Sequence, residues 1–227
     1  MTVASVDNII IHSDLLPSSD IEKLLHYVKN SNISQELLPN GDGCDFYEDG
    51  NPVKIKSIFF NPSDNNIYSL VNKLAGLIKE KIDFKYGQRF LYDPRIWGRV
   101  WSVGDYQSPH SDSEYNNSEL SLDIDDSRPT WNSDIPRFLA DCSSLIYLNE
   151  DYEGGELIFP EYDLKLKPKT GDVITFPTNA MYLHAVNKIN SGTRYNILLK
   201  WYRKTTLVSN IMPKNAAIKD LVESFQG

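Results

Sequence analysis

Three residues in this 227-residue chain could share one metal ion: His110 and Asp112, in the triplet His110-Ser111-Asp112, and His184, far along the chain. On an extended segment, residues i and i+2 point to one face. An imidazole nitrogen and a carboxylate oxygen could therefore meet a single cation. A His-x-Asp triplet alone carries little weight, because surface pairs of this kind arise by chance. His184, in Tyr182-Leu183-His184-Ala185-Val186, would by itself read as a core histidine. Its weight comes from Arg194, ten positions on and past the turn residues Asn190-Ser191-Gly192. Two antiparallel strands joined by that turn would bring His184 and Arg194 into one cavity. Arg194 opens the largely apolar run Tyr195 to Trp201, where an unpaired guanidinium is costly. Two imidazoles and one carboxylate form the facial triad that suits non-haem iron(II). Such a triad leaves positions open for a bidentate 2-oxo acid and dioxygen. Arg194 would then hold the far carboxylate of 2-oxoglutarate through a charge-assisted fork.

Helices come first in the chain and short strands follow. A β-branched run at Ile9-Ile10-Ile11 predicts a strand within 6–16. Ile21, Leu24, Leu25 and Val28 fall on one helical stripe, predicting a helix over about 18–30. Residues 39–52, rich in Gly, Asp and Asn, read as a loop, and 55–60 as a strand. Ile67, Leu70, Val71, Leu74, Leu77, Ile78 and Ile82 mark a second helix. From about Arg95 the segments turn short, aromatic and β-branched. Strands are predicted at 95–103, 139–148, 156–159, 164–167, 172–176, 183–186 and 194–202. Alternation from Arg194 puts Asn196, Leu198 and Lys200 inward. The expected fold class is α+β, with N-terminal helices packed on one sheet of a jelly roll. One domain is expected over 1–227: a supporting unit at 1–94, a β core at 95–204 and a C-terminal extension at 205–227.

The motifs also resemble a known family, the prolyl 4-hydroxylase-like branch of the iron(II)/2-oxoglutarate oxygenases. The resemblance runs from about Arg99 to Tyr202. It rests on Val103-Gly104-Asp105-Tyr106-Gln107-Ser108-Pro109-His110-Ser111-Asp112 and on Tyr147-Leu148-Asn149 followed by Gly154-Gly155-Glu156-Leu157. Leu166-Lys167-Pro168, Gly171-Asp172, His184-Ala185-Val186 and Gly192-Thr193-Arg194-Tyr195 complete it. The family implies a distorted double-stranded β-helix holding iron(II) through His110, Asp112 and His184. It implies that Arg194 binds the C5 carboxylate of 2-oxoglutarate, with dioxygen as oxidant and ascorbate as reductant. Tyr147 matches a residue that hydrogen-bonds the same carboxylate in the oxygen-sensing members, although a core aromatic explains it nearly as well. Two positions depart from the pattern: a Tyr lies four before the first ligand, at Tyr106, and the Trp of the last strand falls one late, at Trp201. Gly154-Gly155 reads as a structural turn, and His12 and His26 as non-ligands.

The implied reaction is hydroxylation of an unactivated C–H bond, with a prolyl residue of a peptide or protein as the expected substrate. A free amino acid or other small molecule is the alternative. A net charge of −8 and the lack of a basic patch argue against nucleic acid, although related demethylases place a basic residue where Lys200 stands. A cupin-like metal-binding protein would not need the retained ligands and Arg194 together, and a zinc hydrolase would not need Arg194. Cys44 and Cys142 could pair, but two free thiols in a reducing compartment is the plainer reading, with the cytoplasm as location. No stretch is apolar and long enough to span a bilayer, and oligomeric state is not legible. Residues 39–52 and the acidic segment 113–136 are expected to act as lids, favouring a neutral or cationic substrate.

Overall fold

A computed structural model describes residues 5–32, 34–37, 39–40, 43–44, 47–60, 65–87, 89–92, 96–112 and 140–203. The acidic segment 113–136 and the extension 205–227 lie outside the described residues. In chain order, β1 (Ile10–His12) is followed by α1 (Ser18–Asn30), β2 (Ser34–Leu37), β3 (Pro39–Asn40), β4 (Gly43–Cys44), β5 (Lys54–Phe59) and α2 (Asn65–Tyr86). Next come β6 (Phe90–Tyr92), β7 (Trp97–Trp101), β8 (Gln107–His110), β9 (Cys142–Tyr147), β10 (Tyr152–Gly154), β11 (Leu157–Phe159) and β12 (Leu164–Leu166). The last four are β13 (Val173–Pro177), β14 (His184–Val186), β15 (Ile189–Gly192) and β16 (Arg194–Arg203).

Two antiparallel sheets make a distorted double-stranded β-helix, as expected. The major sheet runs β1-β13-β9-β16-β7-β5-β2, with β6 also on β16, and the minor sheet runs β12-β11-β14-β8. Both helices bury an apolar stripe against the outer face of the major sheet. Ile21, Leu24 and Val28 of α1 and Val71, Leu74, Ala75, Ile78 and Ile82 of α2 pack with Ile146, Ile197, Leu199 and Trp201. These spacings of three, four and seven residues are those of one helix face. A second core lies between the sheets, built from Leu145, Tyr147, Leu157, Phe159, Ile174 and Phe176. The major sheet is covered on both faces, so all six residues of β9 are buried and its sequence shows no polar alternation.

The structure corrects several expectations. The predicted 6–16 strand is a 3₁₀ turn at Val6–Asn8 and then only β1. The 39–52 loop contains a two-residue antiparallel pairing, β3 with β4. His184 and Arg194 do not sit on a simple hairpin. β14 belongs to the minor sheet and β16 to the major one, and between them β15 pairs with β10. A three-residue strand offers too few pairings to signal itself in sequence, and the Asn-Ser-Gly run that reads as a turn is largely strand. Gly192 keeps a turn-like φ of +75°, where a Cβ would stand 2.5 Å from the Asp151 carbonyl oxygen.

Candidate active site

Pairing in the minor sheet brings the two histidines together. β8 and β14 run antiparallel with His110 directly opposite His184, so both rings leave the same face, with centroids 4.3 Å apart. That face is the inner one, because His184 lies against Phe176 and Phe159 of the inter-sheet core. Asp112 is not on the strand. β8 ends at His110, and the chain bends at Asp112 to return its carboxylate to the rings. His110 Nε2 is 3.9 Å from Asp112 Oδ1, and His184 Nε2 is 3.9 Å from Asp112 Oδ2. The three residues offer donor atoms within 4.8 Å of one another, the arrangement a single cation needs.

The rings are also oriented for this. His110 Nδ1 lies 2.9 Å from the Ser108 carbonyl oxygen, and His184 Nδ1 lies 3.2 Å from that of Tyr182. A carbonyl oxygen only accepts, so each Nδ1 carries the proton and donates. Each Nε2 is left with its lone pair directed at the shared space. Burial, and His110 beside it, push the His184 imidazolium pKa down to about 3, so that ring is neutral at pH 7. Burial alone would raise the Asp112 carboxyl, but the Lys200 ammonium and both imidazoles hold it well below the usual carboxylate range.

Arg194 begins β16 and is only 1% exposed. Its Nη1 donates to the Gly155 carbonyl oxygen at 2.9 Å and its Nη2 to the Tyr147 hydroxyl at 3.1 Å. The guanidinium lies over the rings of Tyr147 and Trp101, 4.8 and 5.3 Å from their centroids. Its Nε is buried without a hydrogen-bond partner, and no carboxylate pairs with it among the described residues. The guanidinium thus retains donors and an uncompensated charge inside the protein. Burial pushes the Tyr147 hydroxyl up to about 12 against the pull of Arg194, so Tyr147 stays a neutral donor. Tyr147 also belongs to the core that flanks His184, which puts the guanidinium and the triad in one interior.

The five residues singled out in the sequence fall into two groups: His110, Asp112 and His184 converge as a donor set, and Arg194 and Tyr147 touch. Sequence reasoning missed what holds them. Lys200, on the inward alternation of β16, reaches Asp112 Oδ2 at 2.7 Å, and Ser143 of β9 donates to the same oxygen. The alternation placed Lys200 inward but could not name its partner. Ser143 sat unmarked in the fully buried β9. Lys200 is committed to Asp112, unlike a basic side chain awaiting a polyanion. Gly154 and Gly155 are more than a turn. Both have positive φ, and a Cβ on Gly154 would stand 2.0 Å from the Lys188 carbonyl oxygen. They let the chain close enough for the Gly155 carbonyl to hold Arg194. His12 on β1 and the exposed His26 on α1 are outside the cluster, and the buried Cys142 forms no disulfide among the described residues. A groove of about 880 Å³, lined by Tyr47, Tyr106, Pro109, Ile158 and Ala185 among others, includes no member of the triad.

Residues 99–203 match the family model of the 2OG-Fe(II) oxygenase superfamily. Human prolyl 3-hydroxylase 2 is 36% identical over 77 residues, which are 32% of this chain and 11% of that protein. The match thus covers about a tenth of the length of that relative. Among solved structures, a viral collagen prolyl hydroxylase from Paramecium Bursaria Chlorella virus-1, in its 2OG complex, superposes with a TM-score of 0.62 at 17% identity, covering 88% of this chain and 98% of that one. A prolyl hydroxylase from Trichoplax adhaerens, in complex with a hypoxia inducible factor peptide fragment, also gives 0.62 at 15% identity, over 90% and 88% of the two chains. At these identities the structural likeness speaks for the fold, the double-stranded β-helix. Over residues 99–203 this chain is similar to the 2OG-Fe(II) oxygenase superfamily, and over part of that stretch it resembles prolyl hydroxylases.

Proposed function

We propose that this chain is an iron(II)- and 2-oxoglutarate-dependent dioxygenase that hydroxylates a prolyl residue in a peptide or protein. One observation carries the reading. A two-His, one-Asp donor set shares its interior with a buried arginine that has no carboxylate partner among the described residues. The donor set fits the metal: two imidazoles whose Nδ1 atoms face carbonyl oxygens, leaving Nε2 as the donor atom, and one ionised carboxylate suit iron(II) with open positions. Arg194, with an orphaned Nε, fits a dicarboxylate co-substrate. A centre of this kind supplies oxidative decarboxylation of 2-oxoglutarate coupled to insertion of oxygen into a C–H bond.

The chain's own residues do the rest. Ser108 and Tyr182 fix the ring tautomers through their carbonyl oxygens. Arg194 and Tyr147 present convergent donors to the far carboxylate. Phe159 and Phe176 wall the His184 side with apolar surface and keep water from it. The reading takes 1–227 as one oxygenase domain with its core at 95–204, ascorbate as reductant, and the cytoplasm as location. No helix among the described residues is long and apolar enough to cross a membrane.

A peptide substrate is favoured by the prolyl hydroxylases this chain resembles, one of which is solved with a peptide. The test is succinate formation with iron(II), ascorbate and a panel of proline-containing peptides, free amino acids and methylated oligonucleotides. Mass spectrometry should find one added oxygen on a prolyl peptide. Turnover of free amino acids alone would move the substrate to the small-molecule alternative. No succinate with any member of the panel, from protein that binds the metal, would sink the dioxygenase reading.

A further inference from the structure

Lys200 is nearly buried and sits 2.7 Å from Asp112 Oδ2, the oxygen that Ser143 also occupies. Taking the iron site above as given, we propose that Lys200 is a positioning residue that makes metal binding depend on a dianionic co-substrate. Two donors sit on Oδ2, so Oδ1 is the less engaged oxygen and the one left for a cation. The ammonium also offsets the only carboxylate charge in the donor set. A divalent ion therefore enters a site whose side chains offer no net negative charge. A dianionic dicarboxylate supplies the missing charge, and the two ligands should bind better together than apart, each raising the affinity of the other by the same factor.

The experiment measures metal and co-substrate binding in the absence of turnover. Manganese(II) or cobalt(II) is titrated anaerobically into the full chain, without and with saturating 2-oxoglutarate, for wild type, Lys200→Met and Lys200→Gln. Removing the cation should tighten binding of the metal alone by about tenfold or more, since a like charge beside a divalent ion in a partly desolvated site is worth at least that. The gain from added 2-oxoglutarate should shrink by a comparable factor. A residue that merely supports the fold would weaken both ligands when removed. Lys200→Arg keeps the charge and should stay near wild type, and thermal melts establish which variants fold. Should neither neutral variant fold, tightening in Lys200→Arg would overturn the proposal, and unchanged coupling there would support it. Equal or weaker metal binding in a folded neutral variant overturns the Lys200 proposal alone, provided His110→Ala still abolishes binding. If His110→Ala and His184→Ala bind the metal as wild type does, the iron reading itself falls and takes this one with it.

Discussion

Replacing Arg194 by Ala should weaken 2-oxoglutarate binding by about two to three powers of ten. Truncating one partner of a buried, hydrogen-bonded charge pair costs roughly 2–5 kcal/mol. Two features place Arg194 within that range. It is 1% exposed and lies against the Tyr147 and Trp101 rings, so solvent screens its pairing little, which argues for the upper half. In the free protein it already donates to the Gly155 carbonyl and the Tyr147 hydroxyl, so the unliganded state is partly satisfied and the top is not reached. About 3–4 kcal/mol remains, or roughly 100- to 1000-fold in affinity. The assay is anaerobic calorimetric titration of 2-oxoglutarate into the manganese(II)-loaded protein, with metal affinity measured separately. Metal binding should change far less, because Arg194 offers no donor to a cation. Arg194→Lys should fall between, since the point charge stays and the fork is lost. Unchanged 2-oxoglutarate affinity in a folded Arg194→Ala variant would refute the clamp, and an equal loss of metal affinity would show that the substitution had collapsed the site.

His110→Ala and His184→Ala should each abolish both metal binding and 2-oxoglutarate decarboxylation; wild-type turnover in either would remove it from the triad. Gly154→Ala should destabilise the fold by at least about 2 kcal/mol, because a side chain there has a strained φ and meets a backbone oxygen. Calorimetric melting would show this, and a melt unchanged from wild type would contradict the close approach. The metal-free protein should lose stability as pH falls below about 6.5. His184 titrates near its ordinary 6.5 when unfolded and at about 3 when folded, so the unfolded chain takes up the proton first. Asp112 acts in the same direction lower down, its contribution present above the ordinary carboxylate range and lost as pH falls through its depressed folded value. Thermal melts across pH should decline less steeply for His184→Gln, and parallel slopes would discount His184. Changing Asp123, Asp125 and Asp126 together to Asn should raise KM for a cationic prolyl peptide, more at low salt than at high, and a KM indifferent to salt would end the steering idea.

Much of the site was legible because its chemistry demands particular residue types. His110, Asp112, His184 and Arg194 have no common structural reason to occur together in one β-rich region. The two long helices were legible because their buried faces repeat at helical spacing, over about two turns in α1 and about three in α2. The local geometry was less so. Asp112 looked like a strand neighbour of His110 and is instead a bend residue, because the strand stops when its partner β14 runs out of pairing. β8, β10 and β15 have three or four residues each, too few for a period to show. The Lys200–Asp112 pair joins positions 88 apart in sequence, and no local pattern can announce such a pairing.

The triad is divided between the two sheets. His110 and His184 ride on β8 and β14 of the minor sheet, whereas the Asp112 carboxylate is moored to the major sheet by Ser143 of β9 and Lys200 of β16. The three donors converge only while the sandwich keeps its thickness, so the site works as a gauge of that spacing. Trimming Phe159 or Phe176, the rings that prop the sheets apart behind His184, should detune the donors before it unfolds the domain. A warmed protein should likewise lose its grip on a cation some degrees below the temperature at which its strands come apart.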